Sequence, residues 1–174
     1  KQVNLIRFDY EQQEDMFDRH SYQKGGRVLH MLRKYTGDEA FFESLKKYLN
    51  DNRLGAAEIH HLRLAFEAVT GEDMNWFFNQ WFLDKGHPSL KIDYDYNAEK
   101  GIQYVKVQQV QNFETTPLYK LPVEIDLYTS KGIEKKKVAI TKQEETFEFA
   151  VSEKPALVNF DAQKMLICSK TDNH

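Results

Sequence analysis

Apolar residues recur at helical spacing through the first half of the chain and at alternate positions through the second, and the period changes at Gly86-His87-Pro88. Val28, Leu29, Met31, Leu32 and Tyr35 share one face of a helix that starts near Ser21. Gly37 stands where a C-terminal glycine stops such a helix. Phe41, Phe42, Leu45, Tyr48 and Leu49 predict the buried stripe of a second helix, from about Asp38 to Asn50-Asp51-Asn52. A third helix covers about Ala57 to Val69, with Ile59, Leu62, Phe66 and Val69 on one side and Thr70-Gly71 as its stop. Asp73 reads as the N-cap of a fourth, which holds Trp76, Phe77, Trp81 and Phe82. Short helices joined by tight loops predict an antiparallel helical array. The acidic segment from Phe8 to Arg19 reads as a loop or short helix that packs on polypeptide outside this sequence.

From Ser89 the alternation is that of half-buried strands. Leu90, Ile92, Tyr94 and Tyr96 interleave with Lys91, Asp93 and Asp95. Asn97 to Gly101 carries turn chemistry, and Tyr104 to Val110 predicts the next strand. Pro122 to Tyr128, Ile133 to Ile140, and Phe147 to Val151 continue the pattern. Leu157 to Phe160 and Met165 to Ile167 supply two more, about seven in all, which suggests an antiparallel sandwich. The fold class is therefore α+β: an N-terminal antiparallel helical array followed by an antiparallel β-sandwich, with the boundary between residues 87 and 88.

Composition narrows the function. The chain has 174 residues, 41% hydrophobic and 29% charged, with a formal net charge of -3. This is globular composition, and no basic stripe marks a nucleic-acid partner. No apolar run is long enough to span a bilayer. Lys1-Gln2-Val3-Asn4 is not the start of a signal peptide, and the absence of an initial methionine fits an excised piece as well as a processed protein. The single cysteine, Cys168, lies in an apolar run and reads as a buried structural thiol. The run Glu134-Lys135-Lys136-Lys137 reads as a solvated strand face or edge.

Metal chemistry has little to stand on. No His-Glu-x-x-His helix is present. Glu58-Ile59-His60-His61 has Glu-x-x-His spacing, but no second such element accompanies it, and an exposed helix surface is the reading preferred. His20 precedes the first helix as a capping candidate, His30 lies within that helix, and His87 lies in the interdomain turn. No nucleophile elbow or phosphate loop appears. The cluster from Trp76 to Phe82 reads as a dense apolar helix packed between the two halves. Gly25 and Gly26, in the first turns of the first helix, cost roughly 1 kcal/mol each relative to alanine, which suggests close approach of another backbone or a ligand, or a local kink. Tyr22, just before them, can donate its hydroxyl to a developing oxyanion if it faces a cleft.

The stretch Ser21-Tyr22-Gln23-Lys24-Gly25-Gly26-Arg27-Val28-Leu29-His30-Met31-Leu32 resembles the tyrosine helix of the aminopeptidase N family of zinc metallopeptidases, the gluzincin aminopeptidases. Gly37, Phe41-Phe42, Leu45-Lys46-Lys47-Tyr48, Gly71-Glu72-Asp73, Phe77-Phe78-Asn79-Gln80-Trp81 and Gly86-His87-Pro88 follow in the family's order. Val107 to Gln111 and Leu121-Pro122-Val123 resemble its third, sandwich domain.

The resemblance implies that residues 1–87 are the C-terminal helical part of a thermolysin-like catalytic domain and 88–174 a β-sandwich domain. It implies a parent that uses zinc to release N-terminal residues from peptides, with Tyr22 stabilising the tetrahedral intermediate. Lys24 and Gly25 would shape the helix. The zinc ligands, the general base and the exopeptidase motif belong before Lys1, and a large helical domain after His174. The isolated chain is therefore expected to bind no zinc and to be inactive. The alternatives are a non-enzymatic helical-plus-sandwich module that binds a peptide or protein, and a noncatalytic homologue of the family.

Overall fold

Gly37 ends the first long helix with φ of +85°, a conformation that a Cβ makes costly. In this computed structural model, which describes residues 4–7 and 9–173, helix α1 spans Gly25–Thr36 and α2 Asp38–Asp51. Phe8, where the acidic segment opens, lies outside the described residues, as do Lys1, Gln2, Val3 and His174. Helix α1 buries Val28, Met31 and Leu32, with Leu29 and Tyr35 half-buried at the margins.

The predicted stripe of α2 is too wide. Phe41 is buried beside Ser44, but Phe42 and Leu49 are 53% and 66% exposed. Neighbouring residues point about 100° apart on a helix, so only the arc holding Phe41, Ser44, Leu45 and Tyr48 is covered. Phe42 lies instead beneath the Arg33 guanidinium, 5.1 Å from ring centroid to Cζ.

Helix α3, Ile59–Thr70, buries Leu62, Ala65 and Phe66, while Val69 is exposed at its rim. Met74 is the N-cap of α4, Asn75–Phe78, one residue later than expected. Asp73 still serves this helix start: its Oδ1 accepts the Asn75 N–H at 2.7 Å. Helix α4 runs into a π turn at Asn79–Leu83 that carries Trp81 and Phe82. Phe77, Phe78, Trp81 and Phe82 are all buried, and the rings of Phe78 and Phe82 stack at 4.8 Å. The cluster is core. The acidic segment contains a 3₁₀ turn at Gln13–Met16.

The strands are β1 Ser89–Asn97, β2 Ile102–Gln109, β3 Leu121–Thr129, β4 Gly132–Ile140, β5 Glu144–Ala150, β6 Leu157–Phe160 and β7 Ser169–Asn173. They form two sheets, β5-β2-β1-β7 and β4-β3-β6. All pairs are antiparallel except β1 with β7, which is parallel. Leu90 and Ile92, Val105 and Val107, and Val123, Ile125 and Leu127 face inward at alternate positions. The Lys-rich β4 is an edge strand, where Lys135 and Lys136 bond Glu124 and Glu134.

Met165 to Ile167 is not a strand. Asp161 accepts the N–H groups of Met165 and Leu166 at 2.7 and 2.9 Å, so a local turn takes the bonds a ladder would need. The last strand begins later, at Ser169. Among the described residues no helix is long and apolar enough to cross a membrane. The chain divides into two compact units, Lys1–Gly86 and His87–His174.

Candidate functional site

Helix α1 does not begin at its first α-helical residue. A π turn, His20–Lys24, runs straight into it, and the Gly25 N–H is shared between the carbonyls of Ser21 and Tyr22. Such widened turns re-aim side chains and occur often at functional positions. Tyr22 sits in the middle of this one. Its side chain is 67% exposed, and no described residue hydrogen-bonds its hydroxyl.

The turn is fastened from outside the helix. Asp18 Oδ1 accepts the Ser21 N–H at 2.7 Å, satisfying one of the donors that a helix start leaves free. That bond holds the Asp18 carboxyl below its ordinary value, with the Ser21 hydroxyl and Arg7 adding to the effect. Arg7 Nη2 reaches the Asp15 carbonyl at 3.1 Å, Asp18 Oδ2 at 3.2 Å and Ser21 Oγ at 3.3 Å. One guanidinium thus binds the 3₁₀ turn to the π turn. Between them Phe17 is 72% exposed, and its ring centroid lies 6.4 Å from that of Tyr22.

At the other side Lys24 Nζ approaches the Gly86 carbonyl at 3.4 Å. Burial lowers the Lys24 pKa, and Asp84 partly opposes the shift. Gly25 lies in ordinary contact distance of Leu5, since an added Cβ would come 3.9 Å from its Cδ1. At Gly26 nothing lies within 4 Å. The close backbone approach predicted for these glycines is absent among the described residues.

The sequence pointed to Tyr22 but missed Phe17, Asp18, Ser21 and Arg7 as its setting. Asp18-x-x-Ser21 has capping spacing and was a legible signal. Arg7 carried none, because its bonds reach residues 8 to 14 positions away.

His60 and His61 are in ring contact, at 4.0 Å between centroids, and are neighbours on one helix. His61 Nδ1 accepts the Glu58 backbone N–H at 3.0 Å, so the Glu-x-x-His spacing is a helix cap. His20 lies inside the π turn, whose start Asp18 caps. His30 is half-buried and His87 exposed. Cys168 is half-buried, not sealed in the core. Among the described residues no group of three His, Cys, Asp or Glu side chains could hold a metal ion, so they do not fit a zinc site.

Residues 2–81 match the Peptidase family M1 domain. Aminopeptidase 2, mitochondrial, of Saccharomyces cerevisiae is 29% identical over 162 residues, 90% of this chain and 16% of the relative. Tricorn protease-interacting factor F2 of Thermoplasma volcanium is 30% identical over 139 residues, 80% of this chain and 17% of the relative. The chain thus spans less than a fifth of these proteins. A crystal structure of Legionella pneumophila aminopeptidase A in complex with aspartic acid has the same fold, with a TM-score of 0.84 at 19% identity over 99% of this chain and 20% of that one. With the M1 domain matching the helical unit and relatives running through both units, the chain belongs to the M1 aminopeptidase family.

Proposed function

We propose that this chain is one wall and one supporting domain of a zinc-dependent aminopeptidase that releases N-terminal residues from peptides. Residues 1–87 form the end of its catalytic domain, and residues 88–174 a β-sandwich domain. The observation that carries the reading is Tyr22: an exposed phenol on a capped π turn, in the unit that matches the M1 domain. Its O–H donates a hydrogen bond to the carbonyl oxygen of the scissile peptide as negative charge develops there. Asp18 and Arg7 fix the turn that carries the donor, so its backbone need not be ordered when substrate arrives.

The described residues do not fit a zinc site, so in this reading the ligands and the general base belong to other polypeptide. The chain's own part is confined to the carbonyl, and alone it is inactive. Its partners are the peptide substrate, the zinc-binding part of the catalytic domain and a C-terminal helical domain.

The test is Tyr22→Phe in the full-length protein. Loss of one oxyanion donor lowers kcat by about 10²- to 10³-fold with zinc content unchanged. Normal turnover by this variant ends the oxyanion assignment, whereas no turnover by the unaltered full-length protein favours a noncatalytic peptide- or protein-binding module.

A further inference from the structure

Between the two sheets, near the turn that joins β1 to β2, lies a cavity of about 410 Å³. Ligand pockets start at about 300 Å³. Tyr94 and Tyr96 of β1 and Gln103 of β2 line it from one sheet, and Val158 of β6 from the other. All four belong to the second unit.

Gln103 is the informative residue. It is 3% exposed, pairs directly with Tyr96, and alternates along β2 with the core residues Val105 and Val107. Its Nε2 donates to the carbonyls of Asp95 and Tyr104, each at 2.9 Å. Both neighbours are acceptors, so the amide cannot be turned round, and its oxygen must face away from them. No described residue donates to that Oε1, and it is not sealed from solvent. It therefore opens on the cavity that the side chain lines. A fixed acceptor with no protein partner calls for a donor on a ligand.

The charged residues of the lining are one of each sign, Lys154 and Asp95, both exposed. A simple anion or cation would leave one of them unused. A zwitterion uses both, and its apolar body meets the tyrosine rings, Pro155 and Leu157. A neutral acceptor beside aromatic faces also favours an ammonium group. Burial, and then the Asp172 carboxylate, raise the Tyr94 pKa, so its phenol stays neutral.

We propose that this cavity binds a free α-amino acid with an apolar side chain: Gln103 Oε1 accepts from its ammonium group, Lys154 holds its carboxylate, and Tyr94, Tyr96 and Leu157 enclose its side chain. In the reading given above, such a molecule is what the reaction releases. The site itself does not depend on that reading, since Tyr22 belongs to the other unit.

The experiment titrates the whole 174-residue chain and follows backbone amide shifts by NMR. The probes are L-leucine, isocaproate (leucine without its ammonium) and L-leucinamide (leucine without its carboxylate). L-Leucine at millimolar concentration moves the amides of Tyr96, Gln103 and Leu157 and saturates. Isocaproate binds about tenfold more weakly, because a hydrogen bond to a charged group is lost. Lys154→Gln, an exposed change that spares the fold, raises Kd for L-leucine about two- to fivefold and leaves that for L-leucinamide unaltered. Gln103→Met brings L-leucine down to the level of isocaproate; if this variant fails to fold, the probe series and Lys154→Gln still decide. Absence of shifts at those amides overturns the proposal. So does isocaproate binding as tightly as L-leucine, or a Lys154→Gln effect equal for L-leucine and L-leucinamide. No readout involves Tyr22, so the two readings fail separately.

Discussion

The side chain of Gln109 pairs with the backbone of Tyr119 as another strand would. Its Nε2 donates to the Tyr119 carbonyl at 2.7 Å, and its Oε1 accepts the Tyr119 N–H at 3.0 Å. Both residues are 1% exposed. Gln111 extends the arrangement, with Nε2 bonded to Gln109 Oε1 at 3.1 Å and to the Pro117 carbonyl at 2.8 Å. The two glutamines thereby anchor the long connection from β2 to β3, whose backbone has no ladder of its own.

Gln109→Leu keeps the volume and removes both bonds to Tyr119, along with the one from Gln111. Two buried backbone groups of Tyr119 then lose their partners, at about 1–3 kcal/mol each, and the sheet unit should lose about 2–4 kcal/mol. Hydrogen exchange at the Tyr119 amide reads this directly. Unaltered protection would show that water or a relaxed loop replaces the side chain.

What the sequence disclosed follows from local rules. Gly37 was legible as a helix stop because one residue carries the signal, and β1 because Leu90 and Ile92 alternate with polar neighbours. The width of the α2 stripe was not legible: Phe41-Phe42 is apolar whichever ring is covered, and packing against α1 and α3 decides. The turn after β6 was hidden for a different reason. Met165-Leu166-Ile167 looks like a strand, but the carboxylate of Asp161 claims its N–H groups. At the site, Tyr22 stood out through its place beside Lys24 and Gly25, while Arg7 acts through three contacts distant in sequence.

Gly26 offers a separable measurement. It lies inside α1 with nothing within 4 Å of an added Cβ, so Gly26→Ala should stabilise the helical unit by about 0.5–1 kcal/mol. Gly37→Ala should do the reverse, since φ there is +85°. Both tryptophans, Trp76 and Trp81, lie in this unit, so their fluorescence during urea unfolding reports it selectively. A destabilising Gly26→Ala would mean that the helix start is less open than it looks.

Asp18 predicts where the turn under Tyr22 loosens with pH. Its folded pKa lies below the ordinary 3.8, chiefly through the Ser21 N–H bond. A depressed carboxyl contributes stability above its unfolded value, and that contribution is lost as pH falls through the folded value. The contacts of the π turn should therefore be constant from neutral pH down to about 4 and weaken only below it. Faster exchange of the Ser21 amide below that point, abolished as a transition in Asp18→Asn, is the expected result. Loosening near pH 6 would place the cause on another group.

Tyr35 gives the opposite sign. Burial first, and then the hydrogen bond that its O–H donates to Glu72 at 2.7 Å, raise its pKa from 10.0 to about 12. The folded chain keeps this proton where the unfolded chain has released it. The stabilisation is thus complete below pH 10.0 and is lost as pH rises through about 12. Glu72→Gln removes the charge and the stronger acceptor, so the Tyr35 titration should move down toward 10.0, but burial, the larger cause, should keep it above that value. Ultraviolet titration of tyrosinate, with Tyr35→Phe to identify the group among nine tyrosines, checks this. A titration unmoved by Glu72→Gln would show that the bond has no weight in the shift and that burial alone holds the proton.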